Sequence, residues 1–196
     1  QSGGEFGSDI DYDGARVIVG EPNVAKSADI FTFASGSETF EQTVSANTYT
    51  DPASRFGKGV ALDGDHVLIG APGQDITFVD QGGVEYWSRV GGTWTFQQAF
   101  TMDGTGNVTA FFGSGVTLLD NATAHISWVA TDGSIVVEKW TRSGTTWTFD
   151  SNFILLGYDA QTFLQMDSDG TSLILGFPLW EEDAAPGGDN VGIAIV

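Results

Sequence analysis

Residues 56–100 read FGKGVALDGDHVLIGAPGQDITFVDQGGVEYWSRVGGTWTFQQAF, four short strands with the joints written in. Val60, Ala61 and Leu62 run into Asp63-Gly64, a pair suited to a tight hairpin because Gly accepts positive φ without a Cβ clash. Val67 and Ile69 share one face of a second strand. Gly70-Ala71-Pro72 ends it, since Pro has no amide hydrogen for a ladder. A loop leads to Gly82-Gly83 and a third strand, Val84 to Trp87. Gly91-Gly92 turns the chain into a fourth, Thr93 to Gln97. Strands are therefore expected near 57–62, 66–70, 83–88 and 93–98, in one antiparallel sheet of the kind that forms a propeller blade.

The rest of the chain repeats this unit. FGSDIDYDGARVIVGEP, from Phe6, lies on FGKGVALDGDHVLIGAP without a gap at an offset of 50 residues. Ala28 to Phe33 and Thr39 to Val44 complete the first unit. The third starts at Phe112-Gly113 and then diverges. Asp120-Asn121-Ala122-Thr123 replaces the two-residue turn, and AHISWVA (124–130) takes the place of DHVLIGA (65–71), which sets His125 over His66. Asp132-Gly133 and Ser143-Gly144 supply its later turns, and Thr146-Trp147-Thr148-Phe149 echoes Thr93-Trp94-Thr95-Phe96. The fourth, FLQMDSDGTSLILGFP (163–178), keeps Asp169-Gly170 and Gly176-Phe177-Pro178 but misplaces its Phe163.

A strand-only period near 50 residues means stacked sheets. One sheet cannot bury both faces, whereas sheets packed face to face can. The expected fold is all-β, a β-propeller of four four-stranded blades, as a small ring or part of a larger one. One domain spans 1–196, with repeats near 6–50, 56–100, 112–150 and 163–196. Trp94 and Trp147 are expected to fill the space between blades.

Composition narrows the function. The 196 residues hold 27 Gly and no Cys, which excludes disulfides, thiolate metal sites and Cys nucleophiles. Seven Lys and Arg against 26 Asp and Glu give a net charge of −19, which disfavours nucleic acid and anionic membranes as partners. No apolar run is long enough for a membrane helix. The first residue is Gln, so a processed or partial product is expected.

The pattern Phe-Gly…Asp-Gly…Ile-Gly-Ala-Pro…Gly-Val-x-Tyr resembles the FG-GAP repeat of integrin α-subunit propellers and their relatives. The second repeat matches fully. The first has Glu21 for Ala, the third has Val129-Ala130-Thr131, and the fourth has Phe177 for Ala. The resemblance implies an extracellular, cell-surface or virion propeller for adhesion, assembly or ligand display, and Ca²⁺ in Asp-rich loops. Asp9-x-Asp11-x-Asp13-Gly14 is the candidate loop, because alternate carboxylates before a Gly turn can converge on one ion. Against it, the ninth position that relatives fill with an acid is Val17. The gapless alignment instead sets Asp9 and Asp11 within a strand. Asp167-Ser168-Asp169-Gly170 is a weaker version.

Other candidates lie in loops and edges. Trp180, Glu181, Glu182 and Asp183 form a loop suited to contact with a partner or a cation, or to packing on its own blade. Asn107 and Asn121 head glycosylation sequons. His66 and His125 recur as repeat equivalents, with no Ser or carboxylate at a fixed offset to make a triad. Val191, Ile193 and Ile195 would form an apolar edge. It is expected to be covered by further sequence of the polypeptide or by another subunit. The favoured function is a non-enzymatic adhesion or assembly module with protein or glycan partners. The alternative is a secreted propeller enzyme or carbohydrate-binding protein acting on polysaccharide. For stability, Gly64→Val is expected to cost more than Gly73→Val, because a β-branched residue resists the turn's positive φ.

Overall fold

The computed structural model describes residues 5–103, 110–130, 132–155, 165–169, 171–177 and 193–195, among which there is no helix. The first sheet is β1 (Ile10–Tyr12), β2 (Arg16–Glu21), β3 (Ser27–Ala34) and β4 (Ser37–Ser45), antiparallel in chain order. The second is β5 (Val60–Asp63), β6 (His66–Ala71), β7 (Gly83–Val90) and β8 (Thr93–Phe100). The third is β9 (Val116–Asp120), β10 (Thr123–Val129), β11 (Ile135–Ser143) and β12 (Thr146–Leu155). The fourth shows three strands, β13 (Gln165–Ser168), β14 (Leu173–Phe177) and β15 (Ile193–Ile195), with β15 at the edge among the described residues.

Period-two alternation decides how the sheets stack. Val60 and Leu62 pack with Ile18 and Ile30 of the first sheet, while Ala61 between them packs with Phe112 and Val116 of the third. In β6, Val67 and Ile69 face the first sheet and Leu68 the third. Inner strands are thus buried on both faces, and apolar burial at about 25 cal/mol per Å² drives each seam. Trp94 and Trp147 are buried at successive seams, as their spacing predicts. The third seam sets Ile135 and Val137 against Leu175.

Two details of the sequence reading change. Asp63 pairs with His66, so the tight turn is Gly64-Asp65, and Gly64, at φ 57°, takes the position that a type II′ turn reserves for Gly. In the third sheet Thr117 pairs with His125, as Ala61 pairs with Leu68. His125 is therefore the equivalent of Leu68, not of His66. The hairpin still closes through two residues, between Asp120 and Thr123, and a bulge after Thr123 absorbs the longer β9.

Three contacts recur at the seams. First, glycines meet. A Cβ on Gly20 would stand 2.0 Å from the Gly57 carbonyl oxygen, and one on Gly70 would stand 2.0 Å from that of Gly113. This explains why Phe-Gly and Gly-x-Pro recur together: the glycine that opens one repeat seats on the glycine that closes a strand in the repeat before. Second, glutamines clamp. Gln42 accepts from Trp94 N at 2.9 Å and donates to Trp94 O at 3.1 Å, and Gln98 does the same to Trp147 at 2.6 and 3.1 Å. Third, buried glutamates hold the incoming linkers. Glu85 accepts from the amides of Asn47, Thr48 and Tyr49 and from the Trp87 indole. Glu138 accepts from Asp103 N and from the indoles of Trp128 and Trp140.

The expected ranking of Gly64 and Gly73 also changes. A side chain at Gly64 meets open space, whereas a Cβ on Gly73 would lie 2.1 Å from the Ala53 carbonyl oxygen. Position 73 is the less tolerant, because a steric clash with fixed backbone outweighs a left-handed φ. By the same logic Gly70→Ala should lower the urea midpoint far more than Gly64→Ala, which costs only the left-handed backbone, about 1–2 kcal/mol. Equal midpoints for the two variants would contradict the seam geometry.

Candidate functional site

The inner strands line a cavity of about 790 Å³. Asp9, Asp11, Asp13, Asp63, Asp167 and Asp169 all contribute to its wall, and no Lys or Arg does. The strand period puts Asp9, Asp11 and Asp13 on one side of β1, and each reaches the next sheet. Asp9 Oδ2 accepts from Val60 N at 2.8 Å, Asp11 Oδ2 from Leu62 N at 2.7 Å and Asp13 Oδ2 from Gly64 N at 3.1 Å. The other oxygen of each binds amides of its own sheet, those of Ile10, Tyr12 and Ala15 with Arg16. The three carboxylates form a ladder along the seam and do not converge on a point. Among the described residues no three His, Cys, Asp or Glu side chains are grouped to hold a metal ion.

Burial pushes the Asp9 carboxyl up to about 6, against the lowering effect of its amide donors. Asp11 also rises, by burial and by the facing charges of Asp167 and Asp13. That Asp167 acts on Asp11 ties the first and fourth sheets to one cavity.

At the rim, charged and aromatic side chains meet across the seams. Between the first two sheets, Glu41 of β4 pairs with Arg16 Nε at 3.1 Å and with Arg89 Nε, and Asp65 closes the cluster 3.5 Å from Arg16 Nη1. Arg16 lies over the Trp94 ring, 6.0 Å from its centre. Between the next two, Arg142 lies over Tyr86 at 5.6 Å and Trp147 at 5.9 Å. Its Nη2 is 3.3 Å from His66 Nε2, and His66 Nδ1 is 2.8 Å from the Tyr86 hydroxyl. A His66 that accepts from Arg142 and donates to Tyr86 is neutral, in keeping with a pKa lowered by burial and by the guanidinium. Beneath each guanidinium is a buried indole, and the N–H groups of Trp94 and Trp147 have no partner among the described residues.

The structure separates the candidate residues. Trp180, Glu181, Glu182, Asp183, Val191 and Asn107 lie outside the described residues. Ile193 and Ile195 sit in β15, in register with Phe177 and Leu175. Asn121 is exposed in the β9–β10 turn, where its carbonyl accepts from Arg142 Nε at 2.7 Å. His125, the counterpart of Leu68, is in a different sheet from His66 and is half-buried beside Lys139, its strand partner. The rim clusters and the buried glutamates escaped the sequence reading. The buried glutamates and the glutamine clamps do carry signals in the sequence, Glu-x-Trp at 85–87 and 138–140 and Thr-Phe-x-Gln at 39–42 and 95–98, whereas the rim clusters, drawn from different blades, carry none within a repeat.

Solved structures match this fold. A fungal lectin from Aleuria aurantia, described as a six-bladed β-propeller with a novel fucose recognition mode, superposes with a TM-score of 0.51 at 16% identity over 83% of this chain and 48% of that one. A mutant of the same lectin with Fucα1-6GlcNAc gives 0.50 at 15%, over 92% and 57%. Its complex with α-methyl-L-fucoside gives 0.51 at 15%, over 95% and 58%. The chain is a β-propeller. It spans about half the length of these neighbours, so the four-bladed ring is not supported by them. No protein-family profile matches it, and no curated protein does.

The raised Asp9 pKa sets a pH dependence of blade stability. A carboxyl that binds its proton more tightly folded than unfolded favours folding most below pH 3.8 and loses that contribution as pH rises to about 6. His66 acts in the opposite sense, its lowered pKa disfavouring folding as pH falls below the usual His value of about 6.5. Asp9→Asn keeps an oxygen for Val60 N and removes the titration. Between pH 3.8 and about 6 the denaturation midpoint of the variant should fall less with rising pH than that of the wild type, the difference in slope being the Asp9 share, while Asp11 keeps its own. An unchanged slope would place the proton elsewhere.

Proposed function

We propose that the chain is a non-enzymatic carbohydrate-binding β-propeller that acts outside the cell. The observation that carries this reading is the pair of rim clusters, each a guanidinium over a buried indole ring. Sugar hydroxyls donate and accept at once, so a site for them needs both kinds of group. At the first rim Arg16 and Arg89 supply only donors and Glu41 and Asp65 only acceptors, above the Trp94 ring. At the second, Arg142 supplies donors above the Tyr86 and Trp147 rings, with His66 beside it. The fucose-recognising neighbours support the choice of probe, although likeness at 15–16% identity concerns the fold. The paired seam glycines support kinship with FG-GAP propellers.

An assembly role is favoured by a separate observation, the exposed apolar side chains Phe6, Ile10 and Tyr12 of the first blade.

Calorimetric titration with α-methyl-L-fucoside, then with a panel of neutral mono- and oligosaccharides, tests the reading. Binding is expected, with Glu41→Gln weakening it about tenfold or more through loss of a charged acceptor. Absence of heat across the panel, or equal binding by wild type and a Glu41→Gln, Arg142→Ala double variant, would overturn it.

A further inference from the structure

The two ends of the row of blades carry the two halves of a seam that the structure leaves unmade. Strand registers make Gly20, Gly70, Ser127 and Gly176 equivalent, and likewise Gly7, Gly57 and Gly113. At the first two seams the closing glycine of one blade touches the opening glycine of the next. At the third, Ser127 stands where the glycine would be. The fourth blade has the glycine again at Gly176, where an added Cβ would meet nothing among the described residues nearer than Gln165 of its own sheet at 3.8 Å. Gly7 opens the first blade, and a Cβ there would meet nothing within 4 Å among the described residues.

The side chains around these glycines follow suit. Phe6, Ile10 and Tyr12 are 57%, 58% and 55% exposed, whereas their equivalents Phe56, Val60, Leu62, Phe112, Val116 and Leu118 are all buried. At the other end Ile174 is 42% exposed, where Ile18 and Leu68 are fully buried. Asp167 and Asp169 repeat Asp11 and Asp13. Each binds its own backbone with Oδ1, at Ser168 N and at Thr171 N with Ser172 N. The oxygens that in Asp11 and Asp13 reach Leu62 and Gly64 of the next blade have no partner here among the described residues. The amide of Gly14, equivalent to Gly64, likewise has no partner among the described residues.

We propose that a second copy of this chain docks its first blade on the fourth blade of the first, with Gly7 seated on Gly176, Ile10 and Tyr12 over Ile174, and Asp169 reaching the Gly14 amide. The contact is head-to-tail, so it either closes into a ring or propagates as a filament. The occupant follows from the match. The face with Gly176 requires a blade that opens with Phe-Gly, and this chain's own first blade does.

Light scattering behind size exclusion, over a concentration series of the whole chain, reads the assembly. The wild type should show at least twice the monomer mass. Gly176→Val places a good strand former where nothing among the described residues obstructs it, so circular dichroism and melting should be kept while the mass falls to that of a monomer. Ile10→Asp, at an exposed position, blocks the opposite face and should do the same. Each variant retains the face that the other lacks, so an equimolar mixture should yield a one-to-one dimer and nothing larger. A wild type that stays monomeric at every concentration overturns the proposal, as does a folded Gly176→Val that assembles like the wild type. So does a mixture that fails to pair.

Discussion

The close approach of two backbones at the first two seams is the constraint on which the rest depends. At Gly20 with Gly57, and at Gly70 with Gly113, carbonyl oxygens occupy the space of a β-carbon. Once the sheets sit that near, the neighbouring contacts follow. Asp9 and Asp11 are short enough to bridge from one inner strand to the amides of the next. A Gln on the outer strand reaches both backbone groups of a Trp. Alternate apolar residues of a single strand enter two different cores. A side chain at the glycine would push the sheets apart and stretch all of these together, which is why the seam behaves as a unit rather than a list of contacts.

Much of this was legible in the chain. The strands, the stacking and the interblade role of Trp94 and Trp147 follow from alternation and from the repeat of 50 residues. Alignment failed where the repeat changed length. His125 was set on His66 because their neighbours looked alike, whereas a bulge after Thr123 shifts the register and makes it the counterpart of Leu68. Similarity of letters carries no information about a residue absorbed by a bulge. Gly73 was misjudged for a related reason: its need for glycine comes from Ala53, a contact across a loop that local turn chemistry does not express.

The rim clusters were harder to see, because their members come from different blades. Arg16 and Glu41 belong to one sheet, and Asp65, Arg89 and Trp94 to the next. No spacing within one repeat brings them together. Only the seam does, and the second rim uses a different set at partly different positions, His66, Tyr86, Arg142 and Trp147. Where a site is assembled across repeats, divergence between repeats hides it from pattern and creates its chemistry at once.

The acidic composition also takes on a different meaning in three dimensions. A net charge of −19 suggests a saline or cation-rich setting when it is treated as surface charge. Part of it is not surface charge. Glu85 and Glu138 are fully buried, and their negative charge is met by amide and indole hydrogens rather than by cations. Asp9, Asp11 and Asp13 spend both oxygens on backbone amides along a seam. A carboxylate surrounded by N–H donors needs no counter-ion to be held in place, so Asp-x-Asp-x-Asp before a Gly turn, which resembles a cation loop in one dimension, works in this fold as a strip of hydrogen-bond acceptors. The burial that lifts the Asp9 pKa and the amides that oppose it are two consequences of that one placement. Asp167 and Asp169 carry the same acceptors into the fourth blade, where they already hold amides of their own sheet.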